Sequence, residues 1–397
     1  MGMMKQSNRK VGLVAVTYKD NYGSALQTFA TQYALQKMGC EVHIFEIRGV
    51  HKIIKIRKIC YYLKRLFQPD ERKYICDNVK SRFRKKMAFS ADRYAQSMKE
   101  RHLKYTEFYG ERLKMLPMVT SWSELTKQAA SMDAVVVGSD QLWRPSNIAG
   151  RYFTLEFVPD HVKKISCSTS FGVSCLPKVL HRQTSFFLTR MDYISVREET
   201  GKKIVKDIAG RDAQVVCDPT MLLDADEWMQ IQTLQPIAAG NYILCYFMGD
   251  NPLHRDFAKR LKEITGYRII ALLHGATYVE GDEHFADETP YHVGPSEFLN
   301  LIRYSQYVCT DSFHGLVFSI LYKRSFFSFR RYHDGSEFST NDRLHTLLSW
   351  TGLEERLLLG NENVAETMKK TIDYDEVLRK VDLKRQELKQ FLLSALA

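Results

Sequence analysis

No stretch of this chain reaches the roughly 18 to 20 apolar residues that a helix needs to cross a bilayer. The opening MGMMKQSNRKVGLVAV has no apolar core of signal-peptide length, and its sixth residue, Gln6, is not the Ser or Thr of a myristoylation signal. No two of the eight cysteines stand in C-x-x-C spacing, which removes the commonest zinc and redox motifs. Cys167, Cys217, Cys245 and Cys309 fall in apolar runs and read as buried free thiols of a reducing compartment. No cluster of carboxylates, histidines and cysteines shows ligand spacing, so no metal is expected. Low-complexity tracts, short repeats and the signatures of RNA- and DNA-binding modules are also missing, so nucleic acid is not an expected partner. These absences point to a cytoplasmic protein.

What is present describes an ordinary globular chain. Its 397 residues, 45% hydrophobic and 26% charged, suit two domains, each able to bury a core. The net charge of +11 is local: residues 51–115 hold 19 Lys or Arg against 7 Asp or Glu, leaving 38 against 39 elsewhere. Within it, HKIIKIRKICYYLKRLF places Ile56, Ile59, Cys60, Leu63 and Phe67 at helical spacing among Lys55, Arg57, Lys58, Lys64 and Arg65. Such a helix suits an anionic membrane surface or an anionic partner, or packs its apolar stripe on its own domain. The expected location is cytoplasmic with peripheral contact at the inner face of the cytoplasmic membrane.

Outside this insertion, short apolar runs alternate with amphipathic ones. Strands are expected at 10–18, 41–47, 133–138, 163–172, 192–198 and 213–219, then at 242–249, 267–273, 307–311 and 325–329. Helices fall between them, the first over 23–39 with Gly39 as its stop. This alternation implies βαβ units and parallel sheets. The α/β reading is two Rossmann-like domains facing a cleft. The first spans 1–222 with the basic helical insertion at about 51–115, and the second spans 223–372. A helix over 373–397 ends the chain, packing back on the first domain, and TMLLDADEWMQIQTLQPIAAGN reads as a linker between the two.

Four motifs sit where strands hand over to helices, the place where α/β sheets bind ligands. Asn21, Tyr22, Gly23 and Ser24 form a small polar turn that could offer free N–H groups to an anion or hydroxyl, or simply cap a helix. Ser139, Asp140 and Gln141 end a strand beside Trp143, a grouping that suits a sugar if the indole is open and a helix cap over a core indole if it is not. Arg197, in ISVREE near the SFG of residues 170–172, would reach a phosphate or carboxylate, or pair with Glu198 or Glu199. Asp311, Ser312, His314 and Gly315 make the fourth, with a lone histidine at the strand–helix junction.

Together these stretches resemble the polysaccharide pyruvyl transferase family. NYGSALQTFATQYALQKMG, VVVGSDQLW, SFG, SVRE, CDPTMLL, TDSFHGLVFSILYKRSFFSF and NDRLHTLLSWTGLEER occur in the family's order over about residues 10–358. The resemblance implies a GT-B-like fold and transfer of the pyruvyl group of phosphoenolpyruvate, a co-substrate rather than a cofactor, to a hexose such as galactose. The product would be a cyclic ketal on a cell-surface or capsular polysaccharide or on a lipid-diphosphate-linked precursor. It assigns His314 as general acid, since histidine suits proton transfer near neutral pH, and Arg197 as the donor's anion-binding group. Asn21, Tyr22, Gly23, Ser24, Gln27, Ser139, Asp140, Gln141, Trp143, Ser170, Phe171, Gly172, Ser312, Gly315 and Arg343 follow as substrate contacts, with the Gly315 N–H adding anion stabilisation.

One departure stands out. Many relatives carry Arg-Leu-His-Gly where this chain has Ser312-Phe313-His314-Gly315, so a cation beside the histidine is missing, with Lys323, Arg330, Arg331 and Arg343 as candidate replacements. Two other functions fit the same pattern: a GT-B glycosyltransferase using a nucleotide sugar, and a non-catalytic relative that binds glycan or membrane.

Overall fold

The computed structural model describes residues 9–65, 92–273, 279–282, 284–331 and 342–397. The middle of the basic segment, including Phe67, lies outside them, as do the side chains of Lys64 and Arg65.

The first domain is built on β1 (Lys10–Val14), β2 (Glu41–Ile44), β3 (Ala134–Val137), β4 (Lys163–Thr169), β5 (Tyr193–Val196) and β6 (Gln214–Val215). All pair in parallel in the order β2-β1-β3-β4-β5-β6. The second contains β7 (Tyr242–Tyr246), β8 (Arg268–Ala271), β9 (Tyr307–Thr310), β10 (Ser325–Phe329) and β11 (Leu357–Leu358), again parallel, in the order β8-β7-β9-β10-β11. Strands such as Ala134–Val137 are buried along their whole length, which is why they read as continuous apolar runs and not as alternating ones. Each sheet reverses its winding next to its first strand, between β1 and β3 and between β7 and β9. That is where a doubly wound sheet opens a crevice at its carboxyl edge.

The helices are α1 (Tyr22–Lys37), α2 (His51–Arg65), α3 (Asp92–Arg112), α4 (Trp122–Ala130), α5 (Pro145–Gly150), α6 (His181–Thr189), α7 (Glu199–Ala209) and α8 (Ala225–Met229). In the second half they are α9 (Pro252–Thr265), α10 (Pro295–Tyr304), α11 (Phe313–Leu321), α12 (Asp342–Thr351), α13 (Val364–Lys369) and α14 (Tyr374–Leu396). One hydrophobic core runs from sheet to sheet: Leu13 and Val136 join Leu26 and Phe29 of α1, Phe318 of α11, Leu244 and Val308 of the second sheet, and Leu388 of α14.

The seam between the domains is aromatic. Tyr22 stacks on Phe298 of α10 with centroids 4.5 Å apart, lies against Tyr105 of α3 at 5.6 Å, and donates its hydroxyl to the Val293 carbonyl. The basic segment therefore contributes more than a solvated face. Its α3 also crosses to the second domain, through Lys104 to Glu297 at 2.9 Å and Arg101 to the Leu273 carbonyl.

The stretch after residue 219 is not a free linker. Asp224 and Glu227 form a capping box for α8, and Trp228 is fully buried between Phe29 and Phe318 while its indole N–H donates to Thr220 O. Met221, Leu222, Leu223 and Ile231 are buried in the same core as this indole, which wedges the two domains together. The last helix, α14, touches both domains: the Cys217 thiol donates to Lys384 O, Arg385 donates to Met221 O, Phe391 meets Tyr193, and the helix packs along α11 and α12.

Tyr22 separates the two contributions to the seam. Tyr22→Phe should lose about 1 kcal/mol, the net worth of one hydrogen bond, whereas Tyr22→Ala should lose about 3–5 kcal/mol by opening a cavity between the sheets. Urea unfolding of the two variants measures both, and equal losses would show that the stack carries nothing.

Candidate active site

The carboxyl ends of the two sheets meet at a cluster of polar side chains. From β1, Asn21 caps α1, its Oδ1 accepting from the Ser24 N–H at 3.0 Å. This leaves the Ser24 hydroxyl free to donate to Asp140 Oδ2 at 2.6 Å. Asp140 follows β3 with φ at +82°, a region that non-glycine residues seldom occupy and that is commonest at functional sites. Its Oδ1 accepts from the Gln141 N–H, and its carbonyl accepts from Leu142 and Ser170. The Gln141 side chain crosses Gly172, whose φ of +62° and missing Cβ leave the space for it.

From β5, Arg197 reaches across to Asp218, which follows β6, with Nη1 and Oδ2 2.5 Å apart. Asp218 also accepts from Ser139 Oγ at 2.7 Å, from Thr220 Oγ1 at 2.7 Å and from the Thr220 N–H at 3.0 Å. Burial works to raise its pKa, but the neighbouring His314, the Arg197 charge and the Thr220 N–H hold it well below the usual carboxylate range. Asp140 is shifted the same way: burial is outweighed by Arg197, His314, the Ser24 hydroxyl and Arg343.

The second domain supplies the rest from the start of α11. Ser312 caps that helix, with Gly315 N–H at 3.5 Å from its Oγ, and Asp311 accepts from the Met248 and Gly249 N–H groups after β7. His314 then projects across the seam: its Nε2 lies 3.8 Å from Asp218 Oδ2, and its ring faces Gly23 so closely that a Cβ there would collide with Nδ1. Gly315 has a reason of its own, since a Cβ at that position would run into the Thr310 hydroxyl.

Phe313 carries two guanidinium groups on its ring, Arg197 at 4.4 Å and Arg343 at 5.9 Å from the centroid. Of the candidate cations, Arg343 shares the Phe313 ring with Arg197. Lys323 instead faces away and pairs with Asp375, and Arg331 binds Asp311. Burial and the Arg197 charge push Arg343 down to about 9, against the pull of Asp140. Nε and Nη2 of Arg197 and Nε of Arg343 are buried without a hydrogen-bond partner. Buried donors nearly always have one, so this cradle fits a small anion with several oxygens.

Several residues expected at the site lie elsewhere. Trp143 is a core residue, fully buried against Phe171 and Phe187 with its N–H on Phe153 O, so its ring offers no face to a sugar. Phe171 is buried beside it, and Ser170 is held in the same turn by backbone hydrogen bonds to Asp140 and Trp143. Gln27 is buried a turn inside α1, bonded to Ser24 O and Thr28. Tyr22 belongs to the domain seam, Ser139 to the support of Asp218, and the Gly315 N–H faces the capping Ser312 hydroxyl.

Asp218 was not among the expected site residues, and Glu198 was expected only as a possible ion-pair partner of Arg197. Glu198 is buried, accepts from the Phe171 N–H, and has its pKa raised by burial against the pull of Arg197 and Arg343. For Asp218 the signal was present: an Asp-Pro directly after the strand-like AQVVC marks the same strand-end position as Arg197.

A polar, anion-seeking cluster at the matching switch points of two doubly wound sheets defines a two-domain α/β ligand-binding architecture. A family model for polysaccharide pyruvyl transferase matches residues 21–333, most of the chain and the whole of this cluster except Arg343, and the protein belongs to that family. A search of curated proteins returns no significant match. Solved structures similar to the chain include a UDP-GlcNAc 2-epimerase from Neisseria meningitidis (12% identity, TM-score 0.49, covering 97% of this chain and 100% of that one). They also include the UDP-GlcNAc 2-epimerase from Methanocaldococcus jannaschii (12%, 0.47, 94% and 92%) and spinosyn rhamnosyltransferase with spinosyn aglycone (11%, 0.41, 96% and 96%).

The close approach of Gly23 to His314 can be measured. Gly23→Ala should destabilise by about 1–3 kcal/mol, the usual range for overpacking. His314→Ala in the same chain should relieve most of this, giving a coupling of about 0.5–3 kcal/mol in a double-mutant cycle. Strict additivity would mean that the two residues do not touch.

Proposed function

We propose that this protein transfers the pyruvyl group of phosphoenolpyruvate to two hydroxyls of a hexose, galactose being the expected sugar, and so forms a cyclic ketal. The acceptor would be a cell-surface polysaccharide or its lipid-linked precursor. The observation that carries the reading is that His314 and Arg343 of the second domain meet Arg197, Asp140 and Ser24 of the first, with both arginines partly without hydrogen-bond partners.

Enol phosphate chemistry asks for these parts. The donor carries a carboxylate and a phosphate, which Arg197 and Arg343 can grip with planar, directed N–H groups. His314 gives a proton to the methylene carbon, which becomes a methyl group and leaves an oxocarbenium-like centre at the adjacent carbon. Asp218, 3.8 Å from Nε2, is the counter-charge for the imidazolium that delivers the proton. One sugar hydroxyl attacks that carbon and its proton returns to the imidazole. The C–O bond to phosphate breaks, the second hydroxyl closes the ring, and its proton leaves with phosphate. Arg343 takes the part of the cation that relatives have two residues before the histidine, because Ser312 here is engaged as a helix cap. Asp140, Ser24 and Gln141 face the acceptor side, where a carboxylate and an amide can orient hydroxyls. The side chains of α2 give the protein a surface for anionic lipid: Ile56, Ile59 and Leu63 are exposed there among lysines.

Incubation with phosphoenolpyruvate and galactosyl or mannosyl acceptors should release phosphate and raise the acceptor mass together. Cleavage of a UDP-sugar with no use of phosphoenolpyruvate would replace this reading with a glycosyltransferase. His314→Ala should lower kcat by about 10²–10⁴-fold, the range for general acids. Arg343→Gln should raise KM for phosphoenolpyruvate on the order of tenfold or more, as expected for a lost charge-assisted hydrogen bond. In a separate test, the protein should sediment with vesicles containing phosphatidylserine and not with phosphatidylcholine alone. Equal binding to both would remove the lipid role of α2.

A further inference from the structure

A second group of cations lies around Gln141, the residue after Asp140. Lys58 of α2 donates from Nζ to Asn147 Oδ1 at 2.5 Å, and Asn147 Nδ2 donates to the Gln141 carbonyl at 3.1 Å. Arg144 reaches the Gln141 side chain, Nη1 to Oε1 at 3.3 Å, and Gln141 itself donates its N–H to Asp140. Lys19 follows Tyr18 at the end of the β1 loop, and Tyr18 meets His51, the first residue of α2, at 5.3 Å. The middle of α2, the loop after β1 and the residue that precedes α5 thus bring three cations to one corner of the site.

These charges have neutral partners among the described residues: an amide for Lys58, an amide for Arg144, and the Tyr18 ring for Lys19 at 5.5 Å. They also act on one another. Burial, then Lys19 and Arg144, push the Lys58 ammonium down to about 8, and burial and Arg144 lower Lys19 against the pull of Asp140. Asp140 is the carboxylate in reach, and it already serves Ser24, Gln141 and Arg197. Lys19 is exposed and Lys58 and Arg144 half-buried, so all three are open to an anion arriving from solvent, with no carboxylate bonded to any of them among the described residues.

We infer that Lys19, Lys58 and Arg144 form a subsite for the diphosphate of an acceptor whose sugar is carried on a diphosphate. The inference rests on the reading that the acceptor lies on the Asp140 side. From there the sugar reaches Asp140 and Ser24 while the diphosphate trails toward α2. Three cations match two phosphoryl groups better than one, with Arg144 binding in a directed fork and the two lysines as point charges. The carrier is either a nucleoside or a lipid, and the subsite reads only the diphosphate common to both.

Calorimetric titration of inorganic pyrophosphate into the full chain tests this without any turnover of phosphoenolpyruvate, so its failure is separate from failure of the proposed reaction. Binding should weaken at least tenfold in the Lys58→Gln/Arg144→Gln protein and persist in Arg343→Gln, whose loss affects the other anion site. Lys58→Arg/Arg144→Lys should restore it, which shows that charge and not folding is being measured. Parallel titrations with UDP and with farnesyl diphosphate identify the carrier by which binds tighter, and both should weaken in the double Gln variant. Pyrophosphate that fails to bind the wild-type chain, or that binds the double Gln variant as tightly, overturns the inference.

Discussion

The carboxylate of Asp218 is the point on which the site depends. It collects Arg197 from β5, Ser139 from β3 and Thr220 from its own turn, and faces His314 from the other domain. Taking a carboxylate and a guanidinium out of water costs several kcal/mol per ion, and their attraction offsets this only when geometry and additional hydrogen bonds are good. Asp218 has those bonds. Arg197 does not: with Nη1 committed to Asp218, its Nε and Nη2 over the Phe313 ring make no hydrogen bond, the Asp140 carboxylate standing 3.9 Å from Nη2. The ion pair thus fixes the arginine while leaving it unsatisfied, which is the condition of a preformed anion site.

The two sheets share a strand order, and each contributes at its own switch point. The first gives acid groups and hydroxyls from the turns after β1 and β3, and the second gives the histidine after β9. Neither half is a site by itself. What makes them one is the absence of side chain at Gly23, which lets α1 and the imidazole meet, together with the aromatic contacts of Tyr22, Tyr105 and Phe298 that set the distance between the domains.

Much of this was legible from the chain itself. Parallel strands buried on both faces leave uninterrupted apolar runs, so the elements stood out, and polar residues just past those runs marked the positions where a sheet can meet a ligand. Direction was less legible. Nothing in VVVGSDQLW says whether the indole of Trp143 points to solvent or core, and the space inside the first domain decided it. Residues 220–241 read as a linker, but Met221, Leu222, Leu223, Trp228 and Ile231 are buried and make the start of this stretch part of the core. The weight of Asp218 was less legible because three of its partners, Ser139, Arg197 and His314, are distant in sequence, and the choice among the candidate cations needed the fold, which brings Arg343 from another helix to the Phe313 ring.

The packing of α14 has a consequence for the order of assembly. The first sheet ends at Val215, yet the Cys217 thiol and the Met221 carbonyl find their partners at Lys384 and Arg385, 167 and 164 residues later. Domains emerging from the ribosome tend to fold in sequence, but here the rim of the first one is still waiting for its cover when the second has already been made. Contacts of such long separation raise the entropic cost of closure and slow folding. Until α14 arrives, the nascent first domain exposes the edge around Tyr193, Cys217 and Met221, and that edge is the surface a chaperone would meet.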